Sequence, residues 1–175
     1  MAAIKKRAEH CVSSAYFYSF SKEKTRQIFL PGGVGIGKEN GMHESEKKCI
    51  GIDVGGTSVK IGLFETDGTL LFKWEVPTRK EEGGRYILED VAASIREVLM
   101  EKEIHLSDIL GAGLGIPGPV MPDGYVEVCV NLGWRNVNPQ KELSAMLDGI
   151  PVRSGNDANV AALGENWMGS GKGYN

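Results

Sequence analysis

Cysteine, histidine and long apolar runs are scarce in this chain, and each scarcity removes a class of protein. Cys11, Cys49 and Cys129 are odd in number, far apart and without Cys-x-x-Cys spacing, which argues against a disulfide framework or a thiolate zinc site. Reduced thiols in a cytoplasmic protein are the default. No apolar run approaches the roughly 20 residues needed to cross a bilayer, so no membrane partner is expected. A formal net charge of −3 lacks the basic footprint of a nucleic-acid binder, and none is expected as a partner. What is present, 175 residues that are 41% hydrophobic and 25% charged, suffices for one well-cored domain and not for two large ones.

Charge is unevenly spread. Residues 1–41 carry seven Lys or Arg against three Glu, a net +4, whereas residues 42–175 carry 13 against 20, a net −7. The basic start is followed by CVSSAYFYSF, an apolar run broken by serines with no clean small-residue cleavage site after it, so it is not a secretory signal. Residues 1–41 are therefore expected to be a poorly ordered basic extension ahead of an ordered unit, 42–175. Within the extension Gly32 to Lys38 nearly matches the phosphate loop G-x-x-x-x-G-K-[ST], but Glu39 replaces the final hydroxyl and Pro31 spoils the preceding strand. A glycine linker is the plainer account. Lys38-Glu39 can also be encoded AAGGAG, a ribosome-binding sequence just upstream of Met42, which would make Met42 a natural start.

The most informative stretch is IGIDVGGTSVKIGLF, Ile50 to Phe64. Ile50, Ile52 and Val54, then Val59, Ile61 and Leu63, alternate with other residues at period 2, the pattern of two half-buried strands. Between them Gly55, Gly56, Thr57 and Ser58 form a tight turn whose glycines permit positive φ, and whose hydroxyls and N–H groups can hold a phosphate. Asp53 lies two residues before the turn, where a carboxylate can hold magnesium beside that phosphate. An ordinary Gly-Gly hairpin with a solvated Asp and Lys fits the same residues.

Further along, an Asp67-Gly68 turn and the run Leu70 to Val76, ended by Pro77, predict a third antiparallel strand. Ile87, Leu88, Val91, Ile95, Val98 and Leu99 recur at helical spacing within Arg85 to Glu103 and should cover one face of the sheet. Ile109 to Ile116 reads as a parallel strand buried on both faces. Gly113 to Gly118 matches G-x-G-x-x-G, but Pro117, Pro119 and Pro122 forbid the helix that a dinucleotide site needs. Asn138 as cap, Pro139 at the first helical position and the stripe Leu143, Met146, Leu147 predict a short helix. Pro151 to Ser154 then forms a short strand leading to Asn156 and Asp157, before a helical run Val160 to Trp167. A carboxylate there can take a proton from a hydroxyl nucleophile, and a neighbouring amide can orient the same substrate. Capping of the following helix explains Asp157 equally well.

GIDVGGTSVKIGLF, GLGIPGPV, VNLGW and GNDANVAALGENWMGSG, in that order, resemble the first part of bacterial glucokinases of the ROK family (repressors, open-reading-frame kinases and sugar kinases). The resemblance spans roughly Cys49 to Gly173. It implies an α/β fold: the first lobe of the actin-like, ribonuclease-H-like ATPase architecture, with a mixed sheet in the order βββαβαβα. It implies ATP-dependent phosphorylation of the glucose C6 hydroxyl, in which Gly55, Gly56 and Thr57 contact ATP phosphates, Asp53 supports Mg2+ and Asp157 is the base. Asn156, Asn131 and Gly118 would bind the sugar. Lys60 can reach a phosphate or simply be an exposed strand lysine, and Trp134 and Trp167 would be packing residues. The family also implies a homodimer and a second lobe carrying another phosphate segment, a Glu-x-x-Gly-His sugar element and a structural zinc. None of these falls within the 175 residues, so residues 1–175 alone are expected to be inactive. A kinase for another hexose or an N-acyl amino sugar, a sugar-responsive transcriptional regulator and a chaperone-like ATPase are the alternatives. The last gives no reason for Asn156-Asp157.

Overall fold

The computed structural model describes residues 47–65 and 69–157. The extension 1–41 with its glycine stretch, the Asp67-Gly68 turn, the helix at Val160 to Trp167 and Trp167 itself lie outside them. Five strands form one mixed sheet in the order β3-β2-β1-β4-β7, with β1 Lys48–Val54, β2 Ser58–Glu65, β3 Leu70–Pro77, β4 Ile109–Ile116 and β7 Val152–Asn156. β2 is antiparallel to both β1 and β3, whereas β4 runs parallel to β1 and β7 parallel to β4. The carboxyl ends of β1, β3, β4 and β7 therefore share one edge of the sheet.

Branched residues define one face. Ile50, Ile52 and Val54 of β1, Val59, Ile61 and Leu63 of β2, and Ala112, Leu114 and Ile116 of β4 pack in a single core. Over them lies α2, Tyr86–Glu101, which follows the one-turn helix α1, Glu81–Gly84. The expected stripe is the observed one, with Ala92 added and Val98 only half-buried. Each fully buried Ile, Leu or Val contributes about 1.5–3 kcal/mol relative to exposure, so this layer dominates the stability of the unit. Helix α3, Pro139–Met146, joins the same core through Leu143 and Leu147. It begins as its sequence dictates: the Asn138 side chain accepts the Lys141 N–H at 3.0 Å and Pro139 opens the helix. Arg96 ties the two helices by donating to the Met146 carbonyl at 2.7 Å and to Asp148 at 2.8 Å.

The other face is built from small residues, and it corrects the expectation of half-buried strands. Gly51, Gly62 and Gly113 form one cross-strand row, flanked by Lys73 and Arg153; Asp53, Lys60, Gly115 and Gly155 form the next, continued by Glu75. Much of β1 and β2 is nonetheless buried on this side too. Cys49 and Phe64 make a small second cluster with Leu70 and Leu110, and the Phe64 ring lies over Gly62, where a Cβ would meet it at 2.6 Å. Burial pushes the Cys49 thiol far above its ordinary value, with the Glu65 charge adding to the effect.

Two further differences bear on the site. Strand β7 continues past Ser154, because Gly155 pairs with Gly115 and Asn156 with Ile116. Between β4 and α3 stands an antiparallel ribbon that the motifs gave no hint of: β5 Val126–Cys129 and β6 Trp134–Val137, joined by a 3-10 turn at Val130–Leu132. It and the one-turn helix α1 are insertions into the expected order of strands and helices, which otherwise holds across the described residues. No helix among the described residues is long and apolar enough to cross a membrane.

Candidate active site at the carboxyl edge of the sheet

The phosphate turn, Gly55 to Thr57, connects β1 to β2 at this edge. Neither of its glycines adopts positive φ, contrary to the sequence expectation. Space is what requires the first of them instead. A Cβ on Gly55 would come within 2.7 Å of the Ser58 carbonyl oxygen, whereas one on Gly56 would meet nothing nearer than the Asn131 carbonyl oxygen at 3.9 Å. Two of the turn's three carbonyls are occupied, the Thr78 hydroxyl donating to Gly55 O at 2.7 Å and the Thr78 N–H to Thr57 O at 3.0 Å, while the Gly55 N–H donates to Ser58 O at 3.1 Å. The N–H groups of Gly56 and Thr57 have no hydrogen-bond partner among the described residues. A turn with tied-back carbonyls and unused N–H groups is an anion cradle. The Ser58 hydroxyl is directed elsewhere, donating to Glu75 at 3.2 Å, so Thr57 is the hydroxyl the turn presents.

Asp53 is half-buried on the small-residue face, opposite Lys60 on one side and Gly115 on the other. Lys60 is in turn opposite Glu75, so it stands in a row of alternating charge across three strands and is half-buried rather than an exposed strand lysine. Among the described residues no three His, Cys, Asp or Glu side chains cluster as a protein-only metal cage requires. A single carboxylate beside a phosphate cradle does suit Mg2+, which is usually bound by one or two carboxylates plus substrate phosphates and water.

The second half of the edge comes from β4, β7 and the ribbon. Beyond β4 the chain turns at Pro117 and Gly118, and beyond β7 come Asn156 and Asp157. The structure joins two of the expected sugar residues directly: Asn156 Nδ2 donates to the Gly118 carbonyl at 3.0 Å. Cys129, at the end of β5, donates its Sγ–H to the Pro117 carbonyl at 3.4 Å and lies 3.4 Å from where a Gly118 Cβ would be. Its thiol is pushed up chiefly by burial, and the charge of Asp157 adds to the shift. Asn131, in the 3-10 turn after Cys129, puts its carbonyl beside Gly56, so the turn after β1 and the turn after β5 meet there.

The ROK family sequence profile matches residues 49–175. The chain belongs to the ROK family. It is 41% identical over 130 residues to a glucokinase from Halalkalibacterium halodurans, covering 74% of this chain and 39% of that protein. It is 33% identical over 153 residues to a putative xylose repressor from Caldicellulosiruptor sp., covering 87% of this chain and 36% of that one. Among solved structures, the polyphosphate/ATP-glucomannokinase of an Arthrobacter species superposes with a TM-score of 0.63 at 32% identity, over 73% of this chain and 51% of that one. A Streptomyces griseus ROK glucokinase solved with glucose and AMPPNP gives 0.62 at 28% identity, over 72% and 38%. The fold is the actin-like ATPase fold of these ROK sugar kinases. The chain spans well under two thirds of the length of the curated relatives it matches.

Sequence reasoning missed several residues of this ROK chain. Thr78 carries no motif of its own and was invisible as a clamp. Gly83, Gly84 and Trp134 form a clasp between α1 and the ribbon: Gly84 adopts φ 73°, its absent Cβ would collide with the Leu132 carbonyl oxygen, and Trp134 Nε1 donates to the Gly84 carbonyl at 3.0 Å. Gly133, at φ 77°, packs so closely on Gly83 that a Cβ there would lie 3.2 Å from the Gly83 carbonyl carbon. Trp134 is a packing residue as expected, 2% exposed, and it also supplies this hydrogen bond. The paired glycines at 83–84 and the Leu-Gly-Trp run at 132–134 were the available signals.

Proposed function

We propose that the complete protein is a sugar kinase that transfers the γ-phosphoryl group of ATP to the C6 hydroxyl of glucose. The observation that carries this is the meeting, at one sheet edge, of a turn with unused N–H groups at Gly56 and Thr57 and the Asn156-Asp157 pair. Phosphoryl transfer asks little covalent chemistry of a protein; positioning and charge stabilisation do most of it. Gly55, Gly56 and Thr57 cradle the phosphates of ATP, and the Asp157 carboxylate takes the proton from the C6 hydroxyl as that oxygen attacks. Asn156, Asn131 and Gly118 hold the sugar, with one Asn156 donor already fixing the Gly118 loop. Lys60 contributes positive charge on the phosphate side. Mg2+, supported by Asp53, neutralises phosphate charge when bound. A cytoplasmic homodimer is the assembly we infer, residues 42–175 being the first lobe after a basic extension.

The relative named a glucokinase, and the solved glucokinase with glucose and AMPPNP, support the choice of sugar and donor. In the complete protein Asp157→Asn should lower kcat by on the order of 100-fold or more while glucose affinity stays within a few-fold, because the amide still hydrogen-bonds but cannot accept the proton. Near-normal turnover would make Asp157 a helix cap and no more. Melting of Asp157→Ser separates the two roles, since serine retains the cap and removes the base.

The similarity to a xylose repressor favours a second reading, a sugar-responsive regulator. A regulator would bind sugar without turnover and would bind operator DNA in a sugar-dependent manner. Assay of the complete protein against a hexose and N-acyl amino sugar panel, with ATP and polyphosphate as donors, separates the two.

A further inference from the structure

We propose that Thr78 is a positioning residue for the phosphate turn, setting ATP affinity without touching the nucleotide; this rests on the kinase reading above. Two of the turn's three carbonyls are held by this one residue, through its hydroxyl to Gly55 O at 2.7 Å and its N–H to Thr57 O at 3.0 Å. These bonds bracket Gly56 on both sides. They fix the Gly55–Gly56 and Thr57–Ser58 peptides with their carbonyl oxygens toward Thr78, and because a trans peptide sets its N–H opposite its carbonyl, the Gly56 N–H is turned away from that residue. An anion cradle depends on that polarity, since a single carbonyl turned outward would repel the phosphate.

A clamp must itself be held, and Thr78 is held from both sides. Before it, β3 is paired with β2 as far as Pro77 opposite Ser58. After it, Arg79 binds Asp90 of α2 through two hydrogen bonds of 2.6 Å each, with its guanidinium 4.5 Å from the centre of the Tyr86 ring. The segment then ends at Gly84, clasped to Trp134 beside the sugar-side turn. Residues 78–84 thus form a short strap with one end on the phosphate turn and the other on the element that carries Asn131. The strap fixes the distance between the two halves of the site as well as the shape of one of them.

The test uses the complete protein and isothermal titration with ATP·Mg2+ and, separately, with glucose. Thr78→Val removes the hydroxyl while retaining the shape, and should weaken ATP binding about tenfold, the loss of a hydrogen bond plus the disturbed turn. Glucose affinity should stay within twofold, and KM for ATP should rise more than kcat falls. Thr78→Ser should restore most of the ATP affinity. A valine variant that binds ATP as tightly as wild type would overturn the assignment of Thr78 alone. Equal losses for ATP and glucose with a lowered Tm, unrescued by serine, would overturn it too, as mere strand anchoring. A wild-type protein that binds glucose but no ATP would overturn the phosphate reading itself.

Discussion

The two turns that meet at Gly56 and Asn131 are held by opposite means. The phosphate turn closes a hairpin between adjacent strands and is fixed by hydrogen bonds donated to its carbonyls. The sugar-side turn, Val130–Leu132, is fixed from 50 residues away in sequence, by glycine backbone packed against glycine backbone and by one indole N–H. The first arrangement leaves a glycine, Gly56, with room around it. The second leaves none at Gly84. Glycine keeps space open in one turn and closes the fold at the other, and substitution separates these uses.

The largest effect is expected at the clasp. Gly84→Ala forces a Cβ onto the Leu132 carbonyl at a left-handed φ, and should destabilise the protein by on the order of 3 kcal/mol, read by thermal or denaturant unfolding. Stability within about 0.5 kcal/mol of wild type, the ordinary range for a neutral surface change, would show that the clasp gives way freely. Gly56→Ala comes next and should do the reverse. Its stability should stay near wild type, while ATP affinity falls by roughly tenfold, about 1.4 kcal/mol, because the methyl group occupies the approach of the phosphate. Equal ATP affinity would place the phosphate elsewhere.

The smallest effect serves as a control remote from both turns. Arg96, hydrogen-bonded to Asp148, holds that carboxyl below its ordinary value. A depressed carboxylate contributes stability that is present above its unfolded pKa and lost as pH falls through the lower folded one. Wild type should therefore melt slightly higher than Asp148→Asn at neutral pH, with the gap closing in acid below the ordinary aspartate value of about 3.9. Both partners are exposed, so added salt should shrink the gap. Turnover should be unchanged in either case.

What could be foreseen followed from locality. The β1–β2 hairpin, α2, β4 and the start of α3 announce themselves through periodicity or capping within a single stretch of chain, and the structure has them where they were expected. The ribbon did not, because Val126–Cys129 and Trp134–Val137 are four residues each, too short for alternation to stand out, and Pro119 and Pro122 drew attention to what the region could not be. The positive φ expected at Gly55 and Gly56 was wrong for a related reason: glycine pairs serve conformation or space, and only the position of the Ser58 carbonyl reveals which. Gly118 and Asn156 were proposed separately on the strength of motifs, but their direct hydrogen bond joins the ends of two strands that are 38 residues apart.

The pairing of β7 with β4, Ala112 opposite Val152 through Ile116 opposite Asn156, also sets an order in time. Of the five strands described in this sheet, β7, which leads into Asp157, comes last in the chain and docks on β4, itself already docked on β1. Side chains alternate faces along a strand, so a slip of one residue in that docking would present the carboxylate to the wrong side. A chain emerging from the ribosome can thus assemble this hairpin, the helix layer and most of this core before β7 docks. The register of that last docking therefore decides on which side of the sheet Asn156 and Asp157 stand.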